Sequence, residues 1–188
     1  MNRIKKELKF LYNLYYKDNP QLLNIVLVHS GLVAKKALEI SEKKNLPINK
    51  NDIIMAAMLH DIGVVKCNAP DIFANGTFPY ICHGIEGKKI LEKHGYHTFA
   101  NVCIHHTGSG ITKENIIENK LPLPPIDMLP QTLLEKLICY ADKFFSKSKD
   151  LQREKSIEEV IRQMKKFSTD SYERFMDLYH LFSFEKKI

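Results

Sequence analysis

The feature that most limits how this chain can fold is a stripe of side chains between Leu22 and Ile40. Leu22, Val26, His29, Val33, Ala37 and Ile40 follow one another in steps of three and four, the spacing that gathers residues on one face of an α-helix. The same spacing returns at Ile53, Ala57, His60 and Val64, at Phe99, Val102, Cys103 and His106, and at Leu134, Ile138, Ala141 and Phe145. Such stripes are buried by laying helix on helix. No stretch of useful length alternates apolar and polar residues with the period of two that a half-buried strand shows. The expected fold class is therefore all-α, a compact bundle of about seven helices.

The breaks between stripes follow local chemistry. A first amphipathic helix is expected over residues 2 to 17, with Ile4, Leu8, Leu11 and Tyr15 on one side. Asn19-Pro20 opens the long second helix, which fades at Lys43-Lys44-Asn45. Asn51 or Asp52 is the expected N-cap of the third. Lys66 to Ile81 contains Asn68-Ala69-Pro70, Asn75-Gly76 and Phe78-Pro79, and is expected to be one long irregular segment of the kind that carries function or moves. Helices then begin at His83, before Phe99, at Thr112 and at Thr132, and the prolines of 121–130 hold that segment extended or turning. The tail from Ser156 to Phe184 offers one or two more helices. With no repeat and no linker, residues 1–188 are expected to form a single domain, its core at about 20–150 and a helical extension at 151–188.

Composition narrows the function classes. An apolar fraction of 44% with 27% charge is that of a soluble globular protein, and no apolar run approaches the roughly 20 residues of a membrane span. The basic start Met1-Asn2-Arg3-Ile4-Lys5-Lys6 leads to no small-residue cleavage site, so a cytoplasmic protein without membrane partners is expected. Cys67, Cys82, Cys103 and Cys139 form no C-x-x-C pair and are expected to be reduced. The net charge of +6 favours anionic partners, phosphorylated small molecules among them. Charge alone supports only weak, salt-dependent association with nucleic acid, so no specific nucleic-acid partner is expected.

The chemistry lies in what interrupts the stripes. His29, His60 and His106 stand at apolar positions, Asp61 and Asp142 lie beside such stripes, and His83 begins a helix. A buried imidazole or carboxylate without a partner costs several kcal/mol. A single core histidine is more often a satisfied packing residue than a ligand, but one metal centre would account for all of these groups together, since imidazole and carboxylate suit Mn, Fe, Co, Ni or Zn. Spacing by itself does not say that these helices converge.

His29, then His60-Asp61 in the string His60-Asp61-Ile62-Gly63, then Asp142 in Tyr140-Ala141-Asp142-Lys143 resemble the HD-domain metal-dependent phosphohydrolases over about residues 20 to 150. The resemblance implies an all-α HD domain in which His29, His60, Asp61 and Asp142 bind a divalent metal. His83 in His-Gly-Ile-Glu-Gly and the pair His105-His106 are similar to the extra histidines of two-metal subfamilies. They imply a second ion held by His83 with His105, His106 or both, Asp61 bridging the pair; His106 is favoured over His105 because it continues the Phe99-Val102-Cys103 stripe. The implied activity is hydrolysis of a phosphate ester or anhydride of a nucleotide or related small metabolite by metal-activated water, with Asp61 as a catalytic residue; Lys66, just past the string, is either a second catalytic residue meeting a phosphate oxygen or a simple surface lysine. Two valines separate Lys66 from the HDIG string, and no Gly-Tyr-Pro follows His105-His106, which argues against cyclic-dinucleotide hydrolysis. The same ligands would also serve a di-iron oxygenase of this superfamily, or a regulatory module that keeps the metal without turnover. Substrate choice is expected to rest with the 66–81 and 121–130 segments.

Overall fold

The computed structural model describes residues 2–147 and 150–184. Nine α-helices are formed among them: α1 (Asn2–Tyr16), α2 (Pro20–Lys44), α3 (Lys50–Leu59), α4 (His83–Lys93), α5 (His97–His105), α6 (Lys113–Glu118), α7 (Leu133–Asp142), α8 (Ile157–Phe167) and α9 (Thr169–Phe182). The count exceeds seven because the tail adds two helices, divided at Ser168. Among the described residues no helix is long and apolar enough to cross a membrane.

Side-chain caps explain most of the boundaries. The Asn19 carboxamide accepts from the Leu22 amide at 3.0 Å, with Pro20 in the first turn of α2. Thr112, Thr132 and Ser156 cap α6, α7 and α8 in the same way. The cap of α3 is Asn49, whose Oδ1 accepts from the Asn51 amide at 2.8 Å, rather than Asn51 or Asp52; the cap lies just outside the apolar stripe, and polar Lys50, Asn51 and Asp52 complete the first turn.

The 66–81 segment is not wholly irregular. It holds three short strands, β1 (Cys67–Ala69), β2 (Ala74–Asn75) and β3 (Phe78–Pro79), ordered β2-β1-β3, with β1 antiparallel to β2 and parallel to β3. Strands of two and three residues are too short to leave a period in the sequence. All four cysteines are buried free thiols.

Two apolar clusters flank the centre of the bundle. One joins α1, the first half of α2, α3, α4 and α5 through residues such as Leu11, Tyr16, Leu59, Ile62 and Leu91. The other joins the second half of α2, α3, α7, α8 and α9 through Val33, Ile53, Leu137, Phe175 and Phe182. α3 contributes to both, and its C-terminal end lies where they meet.

That end is unusual. After Leu59 the helix gives way to a 3₁₀ turn over Ile62–Lys66, and Asp61 sits between them at φ −106°, ψ 10°, in the sparsely used bridge region. Carbonyls left over by the change of helix type need partners. Tyr12 Oη of α1 donates to Met58 O, Tyr16 Oη to Ile62 O at 3.0 Å, and the Cys103 thiol of α5 to Leu59 O at 3.3 Å. The tyrosines of α1 therefore do more than pack: they fix the backbone around His60-Asp61. Glycine lets α4 approach the same turn. A Cβ on Gly63 would lie 2.0 Å from His83 O and 2.2 Å from the Gly87 amide nitrogen, and one on Gly84 would lie 2.5 Å from Cys103 O.

Candidate metal centre

These packing decisions deliver six side chains to one point. His29 comes from the middle of α2, His60 and Asp61 from the end of α3, His83 from the start of α4, His106 from just beyond α5, and Asp142 from the last position of α7. All six are buried, Asp61 and His60 completely. One ligand atom from each of His29, His60, Asp61 and Asp142 lies within 4.8 Å of every other, and the same holds for Asp61, His83 and His106.

Asp61 belongs to both groups and gives each a different oxygen. Its Oδ2 faces His29 Nε2 at 3.2 Å and His60 Nε2 at 3.0 Å, while Asp142 Oδ1 closes that side at 2.9 Å from His29 Nε2. Its Oδ1 faces His83 Nε2 and His106 Nε2, both at 3.5 Å.

Three of the four rings are oriented by their other nitrogens. His60 Nδ1 donates to Ala57 O at 2.6 Å, His83 Nδ1 to Tyr80 O at 2.8 Å and His106 Nδ1 to Cys103 O at 2.8 Å. A backbone carbonyl accepts only from a protonated Nδ1, so each neutral ring turns the Nε2 lone pair toward the cluster. His83 Nε2 and His106 Nε2 then oppose each other, lone pair to lone pair, at 3.0 Å. Both Asp61 oxygens are buried without a partner in hydrogen-bond geometry, although the Lys147 ammonium lies 2.6 Å from Oδ2. Converging imidazole lone pairs and a carboxylate with open coordination are what a divalent transition metal accepts. The donor set fits a metal.

Without a metal the electrostatics divide the rings: the carboxylates favour a proton on His60, while burial favours neutral His83 and His106. Burial pulls His60 down, but the Asp61 and Asp142 carboxylates outweigh it and raise the ring to about 9. Burial carries His83 down to about 3, helped by His106, and His106 is lowered as well. Burial works to raise Asp61 and Asp142, yet His60 and Lys147 hold the first well below the carboxylate range, and Lys143 and His29 the second. The cluster is thus built around two ionised carboxylates.

Two expected residues are not brought in. Lys66 is exposed, its Nζ 5.8 Å from the Tyr15 ring centre; Cys67, which starts β1, is the buried neighbour, so Lys66 faces out. His105 turns its Nδ1 to Glu135 Oε2 at 2.8 Å, since adjacent helical residues point about 100° apart. Beyond His106, Ser109 is buried and its hydroxyl donates to Ser171 O at 2.7 Å.

The sequence reading missed Lys147 and Lys143. Lys143 is buried, with Nζ 2.6 Å from Asp142 Oδ2 and 2.9 Å from His106 O. Both lysines line a cleft of about 260 Å³ that also reaches His83, His106 and Asp142. Nothing in the composition of 143–155 separates these lysines from solvated ones; only their position after Asp142 could have marked them.

Residues 26–146 match the family model of the HD domain. An uncharacterized protein of Methanocaldococcus jannaschii is 32% identical over 145 residues, 75% of this chain and 76% of that one. Two proteins named as tRNA (cytidine(56)-2'-O)-methyltransferases also match. The one from Picrophilus torridus is 32% identical over 65% of this chain, and the one from Thermoplasma volcanium 29% over 82%. The matches span only 32% and 41% of those two proteins. No solved structure matches significantly. On the strength of the match over 26–146 and of the first relative, this chain belongs to the HD domain family.

Proposed function

We propose that the protein is a metal-dependent phosphohydrolase acting on a phosphate ester or anhydride of a nucleotide or related small metabolite. The observation that carries this reading is the pair of Asp61 oxygens, each turned to its own set of histidines. In it, His29, His60, Asp61 and Asp142 hold one divalent ion, of Mn, Fe, Co, Ni or Zn, and Asp61, His83 and His106 hold another. Ions bound there would supply Lewis acidity and would lower the pKa of a water suited to attack phosphorus.

The chain's own residues do the rest. Backbone carbonyls of Ala57, Tyr80 and Cys103 keep three imidazoles aimed inward. Lys143 neutralises Asp142 and ties it to the carbonyl of His106. Lys147, in the cleft and against Asp61, takes the role expected of Lys66 and meets a phosphate oxygen as a point charge. The match to proteins named as tRNA methyltransferases supports a substrate drawn from nucleotide chemistry.

The test begins with metal-stripped protein titrated with Mn(II) and assayed anaerobically on a panel of phosphorylated metabolites. Two ions per chain and turnover without oxygen are expected, and Asp61→Asn should lose both. Strict dependence on iron and oxygen, or activity unchanged in Asp61→Asn, would overturn the reading.

A further inference from the structure

We propose that the α8–α9 hairpin completes a binding pocket for the organic part of the substrate, and that this pocket takes a flat heteroaromatic ring, the base of a nucleotide. The inference rests on reading the cluster as a phosphohydrolase centre.

Beside the basic cleft lies a second cavity of about 530 Å³. The two share Tyr80, His83, Thr107, Gly108 and Phe167 as walls. The first is rich in lysine; the second is walled mainly by apolar groups such as Ile81, Ile111 and Leu121. A cationic chamber with metal ligands beside an apolar one suits a molecule with a phosphate at one end and an uncharged ring system at the other. The volume accommodates a nucleoside.

Polar side chains also line the second cavity, and some of them suit a ring edge. The carboxamides of Asn115 and Asn119 offer donors and acceptors. Arg174 of α9 donates from Nη2 to Gly110 O at 3.2 Å and to Asn115 Oδ1 at 3.3 Å, while its Nε is buried with no hydrogen-bond partner. The Nη2 bonds fix the Asn115 carboxamide at the cavity wall. At the mouth shared by both chambers, Phe167 is 71% exposed, an aromatic face free for stacking.

The source of these walls matters. Every ligand-set residue falls within the family match at 26–146. Phe167, Ser168, Ser171 and Arg174 fall outside it. The metal centre is thus built by the family segment, whereas one wall of the pocket belongs to the tail. The 66–81 and 121–130 segments contribute Tyr80, Ile81 and Leu121, but do not enclose the cavity alone.

The test is calorimetric titration of the full chain with the four ribonucleoside 5′-monophosphates, ribose 5-phosphate and hexyl phosphate. At least one nucleotide should bind about tenfold tighter than ribose 5-phosphate, as stacking of one base implies. Phe167→Ala and Asn119→Trp, both at exposed positions, should bring that nucleotide to the level of ribose 5-phosphate without changing ribose 5-phosphate affinity or the thermal midpoint. Nucleotides no tighter than ribose 5-phosphate, hexyl phosphate as the tightest ligand, or a preference that survives both variants would refute the pocket. Failure of Mn(II) and of every phosphate to bind would instead strike the phosphohydrolase reading. Phosphate-free nucleosides compared with ribose would still decide the pocket in that case.

Discussion

Replacing Gly63 by alanine tests how the HDIG turn is tied to the second set of histidines. The added Cβ would sit 2.0 Å from His83 O and 2.2 Å from the Gly87 nitrogen. Ordinary contact requires more than about 3 Å, so one backbone must retreat by about 1 Å or more. Both neighbours are main chain of α4, and no side chain can rotate away. Overpacking of a core costs about 1–3 kcal/mol, and a clash with backbone on two sides belongs at the upper end, near 3 kcal/mol. For a domain of this length each kcal/mol lowers the thermal midpoint by about 2–4 °C, so a fall of roughly 6–12 °C is expected. The retreat also moves His83 away from Asp61 Oδ1, now 3.5 Å distant, while His29, His60 and Asp142 lie on other elements. Metal titration of Gly63→Ala should therefore show one of the two proposed ions weakened far more than the other. Gly31→Ala is the control: Gly31 is exposed on α2, a methyl group there would meet nothing within 4 Å, and the change should stabilise by about 0.5–1 kcal/mol. A Gly63→Ala protein within about 2 °C of wild type that binds both ions equally would refute the reasoning.

Four other outcomes follow from the geometry. Lys147→Met should lower phosphoester turnover by about 10- to 100-fold, the worth of one charged hydrogen bond, with two Mn(II) still bound; wild-type turnover would remove Lys147 from the site. His105→Gln should keep both ions, because His105 is engaged with Glu135, and loss of an ion would restore His105 as a ligand. In metal-free protein His83 is held down at about 3, against 6.5 for an ordinary histidine. The unfolded chain thus binds more protons between those values, and stability present above pH 6.5 should drain away as pH falls through that window; urea midpoints flat from about pH 6.5 to 4 would contradict this. Chelation should leave the helical circular dichroism intact, since Lys143 and Lys147 already balance Asp142 and Asp61, while lowering the thermal midpoint by the binding contribution alone; unfolding on chelation would show that the fold depends on metal.

Much of this architecture was readable because helices advertise themselves in a period of about 3.6 residues, and a polar residue inside a stripe stands out against it. His29, His60 and His106 were legible on that ground, and each is buried. What the period does not encode is the exact direction of a side chain at a helix end. His105 and His106 are neighbours, yet the first turns to Glu135 and the second to Asp61; the difference is set by the packing of α5 on α7, which no local pattern records. Lys66 and Lys147 make the same point for charge. Lys66 stands three residues after the HDIG string in sequence but faces out because Cys67 faces in. Lys147 lies 86 positions from Asp61 in number yet 2.6 Å away in space. Proximity in sequence is a good guide to function along one helix and a poor one across a turn. The tail shows a related limit: its stripes correctly announce helices, but a helix packed on one face still presents another, and no stripe records that Phe167 and Arg174 of α8 and α9 line a cavity beside the family segment.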